Sequence, residues 1–272
     1  MLHFRIFVTL VVLSFGAVAQ AQLIVGNDQS GTATIWNVDP TTGNAAALYS
    51  ASTTDAKPWG MAYDAASNKL YWNNGSTLFS SPFGPTLTPT NLGTMMFGTA
   101  TINFVGLGFK DGLLYGTRNI ATEAVYTIDP TTLQATQVYV HPSTYDFGGL
   151  DFDATNGKLY GLSDTAPAGS VRGLYEIDYV GMTETFKAPY PAGETDIDGL
   201  AVNNGLAYYV TDGPNTTQMN FYIFDVASGT QMGTIPSPFT GSGTFAAGTW
   251  VPEPASLTLL TAGLLLLRRR RR

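Results

Sequence analysis

Cysteine is absent, and histidine nearly so, with two copies in 272 residues. Without thiols the chain has no disulfide, no thiolate nucleophile and no Cys-ligated metal. His3 lies in an N-terminal segment that reads as a removable leader, which leaves His141. A single histidine excludes multi-His zinc sites and narrows Ser-His-Asp chemistry to one candidate. His141 precedes Pro142 in a loop-like stretch and reads as a solvent-exposed loop residue. Charge is sparse, at 12% of residues. Between residues 22 and 251, 7 Lys and Arg face 19 Asp and Glu, a net of −12. That balance argues against nucleic acid or anionic lipid as a partner of the body, since both are bound through basic surface. It suits cations, neutral glycans or plain solubility. No stretch of helical apolar period interrupts the body either.

What is present points to β structure. Thirty glycines, Thr/Ser/Asn-rich turns, and 15 Phe, 14 Tyr and 4 Trp punctuate short apolar runs. Residues 146–178, DFGGLDFDATNGKLYGLSDTAPAGSVRGLYEID, set a pattern that other segments copy in the same order. Its landmark recurs as WGMAYD at Gly60, VGLGFK at Gly106, GGLDFD at Gly149 and DGLAVN at Gly199, with FAAGTW at Ala246 a weaker fifth. The intervals are 46, 43, 50 and 47 residues, the period of a four-stranded propeller blade. A second apolar segment follows each landmark (KLYWNN, LLYGTR, KLYGLS, LAYYVT), then a third (TLFSS, AVYTID, GLYEID, FYIFD) and a more polar fourth.

The first unit lacks its first strand. LIVGND, TIWNVDPTTG and AAALYS match strands two to four, and the missing strand is FAAGTW near the other end. Residues 22–59 and 246–250 together make 43, a full repeat. The expected fold is all-β, a propeller of five four-stranded blades spanning residues 22–251 and closed by pairing of its N- and C-terminal strands, which removes exposed edges. WNVDPTTG and YTIDPTTL resemble the LYxIDPxTG-like units of bacterial repeat propellers, a resemblance that implies fold and no activity.

Two kinds of turn follow from this reading. DAASNK, KDG, DATNGK and NNG join strands one and two, while DPTTG, DPTTL, DYVGM and VASGT join strands three and four. All fall on one rim, which reads as structural, with Asp39, Asp64, Asp129 and Asp153 bonding their own turns. The other rim carries varied loops, including a long inter-blade segment at 82–103, and is where binding is expected. Three residues before each landmark glycine stand Lys57, Asn103, Asp146 and Asp196, with Asp198 close by. In a closed ring they converge at the channel mouth. Asn103, Asp146, Asp196 and Asp198 are the candidate ligand-binding set, and Asp146 and Asp196 the candidate metal ligands. Calcium suits such oxygens, although the fold requires no cofactor. A hydrated polar rim with Lys57 as counter-charge explains the same residues.

Both ends read as address signals. Residues 1–21 place His3 and Arg5 before an apolar run and finish in Ala19-Gln20-Ala21, the pattern of a secretory signal peptide cut by signal peptidase. Residues 252–272 run from PEPASLTLL into a basic end: Pro252-Glu253-Pro254, then an apolar segment at 255–267, then Arg268, Arg269, Arg270, Arg271 and Arg272. This tail resembles the PEP-CTERM sorting signal of exosortase-bearing bacteria. Leu-rich sequence after the prolines predicts a short hydrophobic helix, with the arginines on the cytoplasmic side. Its 13 residues span roughly 20 Å, so arginine stems would snorkel to complete the crossing.

The resemblance implies transient inner-membrane association, recognition by an exosortase, and release to the envelope, surface or extracellular matrix, where exopolysaccharide is a candidate partner. The function expected is a non-catalytic binding or structural module. The alternative is an extracellular metal-assisted hydrolase or lyase using the mouth acids.

Overall fold

Tyr71 and Leu70 are neighbours in sequence, yet they pack against different blades, and this division repeats around the protein. Side chains of successive strand residues point to opposite faces. In the second strand of each unit one residue joins the core shared with the preceding blade and the next residue the core shared with the following one. The pairs are Leu23/Ile24, Leu70/Tyr71, Leu114/Tyr115, Leu159/Tyr160 and Ala207/Tyr208. Sheets covered on both faces read as near-continuous apolar runs, as KLYWNN and LAYYVT do. The core is therefore five wedges between blades.

The computed structural model describes residues 21–29, 33–51, 56–118, 120, 122–142, 144–165, 167, 169–212, 219–241 and 243–252. Gln22–Pro252 forms one compact unit. The signal sequence up to Gln20, Glu253, Pro254, the apolar segment with its expected helix, and Arg268, Arg269, Arg270, Arg271 and Arg272 lie outside the described residues. Among the described residues there is no helix, and none that is long and apolar enough to cross a membrane.

The strands begin with β1 (Gln22–Asn27), β2 (Ala33–Val38) and β3 (Ala45–Ala51), followed by β4 (Gly60–Asp64), β5 (Lys69–Asn74), β6 (Thr77–Pro82) and β7 (Thr90–Thr94). A small hairpin comes next, β8 (Met96–Phe97) and β9 (Ala100–Thr101). Then come β10 (Gly106–Lys110), β11 (Leu113–Thr117), β12 (Ala124–Ile128) and β13 (Ala135–Val140). The fourth group is β14 (Phe147–Asp153), β15 (Lys158–Ser163), β16 (Gly173–Asp178) and β17 (Thr183–Pro189). The last is β18 (Gly199–Asn203), β19 (Leu206–Val210), β20 (Asn220–Asp225), β21 (Thr230–Pro236) and β22 (Ala246–Val251).

Five four-stranded antiparallel sheets result, a five-bladed propeller: β22-β1-β2-β3 as blade 1, then β4 to β7, β10 to β13, β14 to β17 and β18 to β21 as blades 2 to 5. In blade 1, β22 runs antiparallel to β1, with Leu23 opposite Trp250 and Gln22 opposite Val251. The third and fourth strands of every blade carry a register shift, at an equivalent place in four blades (Ile35/Trp36, Leu78/Phe79, Val125/Tyr126 and Leu174/Tyr175) and two residues further on in the fifth (Ile223/Phe224). Such bulges raise the local twist of the outer strands.

The segment 82–103 is not merely a link between blades. It holds β7, the fourth strand of blade 2, and the β8–β9 hairpin, whose Met96 N–H donates to the Leu133 carbonyl at 2.9 Å. The Asp-Pro turns form as their residues demand. Asp39 and Asp129 each accept from the N–H groups two and three residues on, at 2.7 to 3.4 Å. These turns close through a left-handed residue, Gly43 (φ 73°) in one and Leu133 (φ 60°) in the other. Leu133 takes there a conformation that glycine adopts freely.

Candidate functional site

The landmark glycines explain the axis. Each begins an innermost strand or lies at its closest approach to the next, and added Cβ atoms there would collide. At Gly106 a Cβ would stand 2.7 Å from the Gly148 carbonyl and 2.9 Å from the Leu150 Cβ; at Gly149 it would stand 2.8 Å from the Leu200 Cβ. Backbone thus packs on backbone, and at the waist formed by residues such as Gly60, Leu107, Gly149, Leu200 and Gly248 no water-sized space remains.

The mouth on the variable rim is acidic. Asp146 registers the charge of Asp196, and Asp198 registers both, so the three lie within electrostatic reach of one another. Asp164 and Asp212, from the loops after β15 and β19, join them. Burial raises the Asp198 carboxyl well above its ordinary range, followed by repulsion from Asp196, Asp212, Asp164 and Asp146. It is partly exposed beside the waist, with its Oδ1 2.5 Å from where a Gly148 Cβ would be. Asp164 is pushed up to about 6 by burial, then by Asp146 and Asp196, while Arg172 opposes the shift. Burial also raises Asp146 and Asp196.

Beside them Glu123, fully buried, is pushed up to about 9, mainly by burial. Its Oε1 accepts from the Ile120 N–H at 3.3 Å, and its Oε2 has no hydrogen-bond partner among the described residues. Asn103 is exposed and accepts from Arg118 Nη2 at 3.4 Å. Lys57 is not the counter-charge: its ammonium turns towards blade 1 and donates to the Asp28 carbonyl at 3.2 Å, and Arg172 is the cation that Asp164 and Asp196 feel. Among the described residues no three carboxylates or imidazoles stand close enough to hold one metal ion. Sequence reasoning missed Asp164, Asp212 and Arg172. A signal existed for the first two, since GTR, LSD and VTD end the second strand of successive units and place a polar residue at the same rim.

The rim read as structural carries a second, unforeseen feature. Around the axis there, between the turns that join first and second strands, lies a cavity of about 440 Å³. Its walls include Tyr63, Phe109, Phe152 and Trp250, contributed by blades 2, 3, 4 and 1. Tyr63, Phe109 and Trp250 are half-buried. Behind Phe109 stacks Tyr71 at 5.8 Å, and behind Trp250 stacks Tyr208 at 5.1 Å.

The turn aspartates do more than shape their own loops. Asp153 accepts from Thr155 at 2.9 Å, and also from Asn204 and Gly205 of the next blade at 3.2 and 3.0 Å. Asp151 is buried, and its Oδ2 accepts from the Val202 N–H at 2.8 Å; burial, the dominant cause, holds its carboxyl well above the usual range.

His141 departs most from expectation. It is 3% exposed, not a solvent-facing loop residue, and its Nδ1 meets Glu184. Tyr139, Tyr145 and Phe147 pack around the ring at 4.9, 5.6 and 4.8 Å between centroids. The proline after it marked a loop correctly, but not that neighbouring aromatics would cover the loop.

No family model matches the sequence, and no curated protein matches it. Solved structures are similar at the level of fold. A chain in the crystal structure of the nidogen/laminin complex aligns with a TM-score of 0.54 and 12% identity, over 85% of this chain and 98% of that one. The WD40 β-propeller domain of Doa1 aligns with a TM-score of 0.41 and 15% identity, over 84% and 69%. At such identities the first likeness speaks for the propeller architecture alone.

Proposed function

We propose that this protein is an exported cell-envelope or extracellular-matrix component, routed by its 252–272 tail through an exosortase, with the propeller as its non-catalytic binding or structural module. The observation that carries this reading is the pairing of β22 with β1 in one blade. In this reading that pairing closes the ring, so the segments before Gln22 and after Pro252 are appendages that can be removed without opening a sheet edge. A ring of this kind is suited to being cut from its tail and released intact. The burial of His141, 3% exposed, speaks against its own use as an acid–base catalyst.

The test is made in an exosortase-containing host. Glu253→Ala, or deletion of Arg268 to Arg272, is expected to leave the melting transition unchanged and to alter processing and location. Unaltered processing and location in both variants would overturn the sorting assignment.

A further inference from the structure

The cavity on the turn rim has a lining that selects among ligand chemistries. Tyr63, Phe109, Phe152 and Trp250 offer aromatic surface from four different blades, and the electron-rich faces of such rings attract cations. The charged side chains of the wall are Asp64, Asp111, Asp151 and Asp153 against Lys110. The carboxylates of Asp64 and Asp153 are already engaged: Asp64 Oδ1 by the Ala66 N–H at 2.9 Å, and Asp153 by the N–H groups of Thr155, Asn204 and Gly205. They supply negative field and few free acceptors. The chain itself already sets an ammonium over one of these rings, with Lys110 Nζ 5.3 Å from the Phe152 centroid while it donates to the Gly157 carbonyl at 2.8 Å.

We propose that this cavity binds an organic cation of the quaternary or alkylated ammonium class, held over Phe109, Phe152, Tyr63 and Trp250. Such a ligand needs π faces, a negative field and apolar contact for its methyl groups, and it donates few hydrogen bonds. A neutral sugar needs several directional partners, and three of the four wall carboxylates, those of Asp64, Asp151 and Asp153, are occupied by backbone. Lys110 acts in this arrangement as an internal competitor. The assignment rests on the reading of the ring as a binding module.

Calorimetric titration of the purified full chain at low salt, with choline and with its neutral isostere 3,3-dimethylbutan-1-ol, decides the matter. Choline is expected to bind at one site, about tenfold or more tighter than the alcohol. Phe109→Leu should weaken choline severalfold, and Lys110→Gln should tighten it. Equal affinity for the two probes would show apolar filling only and overturn the proposal. So would choline binding that Phe109→Leu and Tyr63→Leu, both folded by their melting curves, leave unchanged. The wild-type comparison stands even where a variant fails to fold. A chain that binds neither probe but is routed by its tail loses the cavity assignment and keeps the sorting one.

Discussion

Nδ1 of His141 lies 2.5 Å from Oε1 of Glu184, and this contact ties the end of β13 in blade 3 to β17, the outermost strand of blade 4. The same oxygen accepts from the Tyr139 hydroxyl at 2.6 Å. Although burial raises the Glu184 carboxyl, hydrogen bonds from His141 and Tyr139 outweigh it and hold the group below the usual carboxylate range. Outer strands are the parts of a blade with the least covering, and this pair fastens two of them together.

Glu184→Gln is therefore expected to cost about 1.5–3 kcal/mol, the range for a hydrogen bond to a charged, desolvated group. Denaturant melts at pH 7 measure it. A depressed folded-state value contributes stability above the unfolded value of about 4.3 and loses it as pH falls through the folded value. The gap between wild type and variant should accordingly shrink as the melts are repeated towards pH 3. A gap constant with pH would mean that the carboxylate charge contributes nothing.

Glu123 has the opposite sign. Its folded value of about 9 lies above the unfolded one, so the folded state holds a proton that the unfolded state releases, and stability falls as pH rises between about 4.3 and 9. Glu123→Gln, which keeps the shape of the neutral acid, should raise stability by up to about 4 kcal/mol at pH 7 and by almost nothing at pH 4. Thermal melts at the two pH values test this. A destabilised variant at pH 7 would show that the side chain is ionised and paired.

Gly106→Ala should open the waist. The added methyl would meet the Gly148 carbonyl, Thr117 Oγ1 and the Leu150 Cβ at 2.7 to 2.9 Å, and two of these belong to the neighbouring blade. Overpacking of this kind costs about 1–3 kcal/mol. Gly112→Ala is not a fair control, because φ there is 85°. Gly233→Ala is one, since nothing lies within 4 Å of its Cβ position and its φ is not left-handed. Equal melting points for the two variants would refute the tight waist.

A chain ending at Gly241 loses β22, and with it the ladder to β1 and the stacking of Trp250 on Tyr208. β1 would then be an unpaired edge. Such a chain is expected to lose its single cooperative transition and to aggregate. A transition of unchanged midpoint and width would show that the ring does not depend on its terminal strand.

Much of the fold was legible because propeller blades are local objects. The recurring glycine landmark, the Leu-Tyr pairs with their two-sided burial, and the Asp39 and Asp129 turns each depend on a few adjacent residues. The repeat length supplied the blade count, and the incomplete first unit pointed to β22 as its missing strand. Asp146 and Asp196 drew notice because each stands three residues before a landmark glycine, and equivalent positions in a ring face the same axis.

The rest depends on distances between blades, which no single repeat encodes. How closely Gly106, Gly149 and Leu200 approach is fixed by five wedges packing at once, and that approach narrows the axis to a waist. Asp164 and Asp212 reach the acids only because the ring's curvature brings their loops inward. His141 became a buried partner because β17, from another unit, passes over it with Glu184. Sequence determined the blades through local periodicity; tertiary structure decided the waist, the aromatic cavity and the fate of the histidine, because burial and close approach belong to the whole ring.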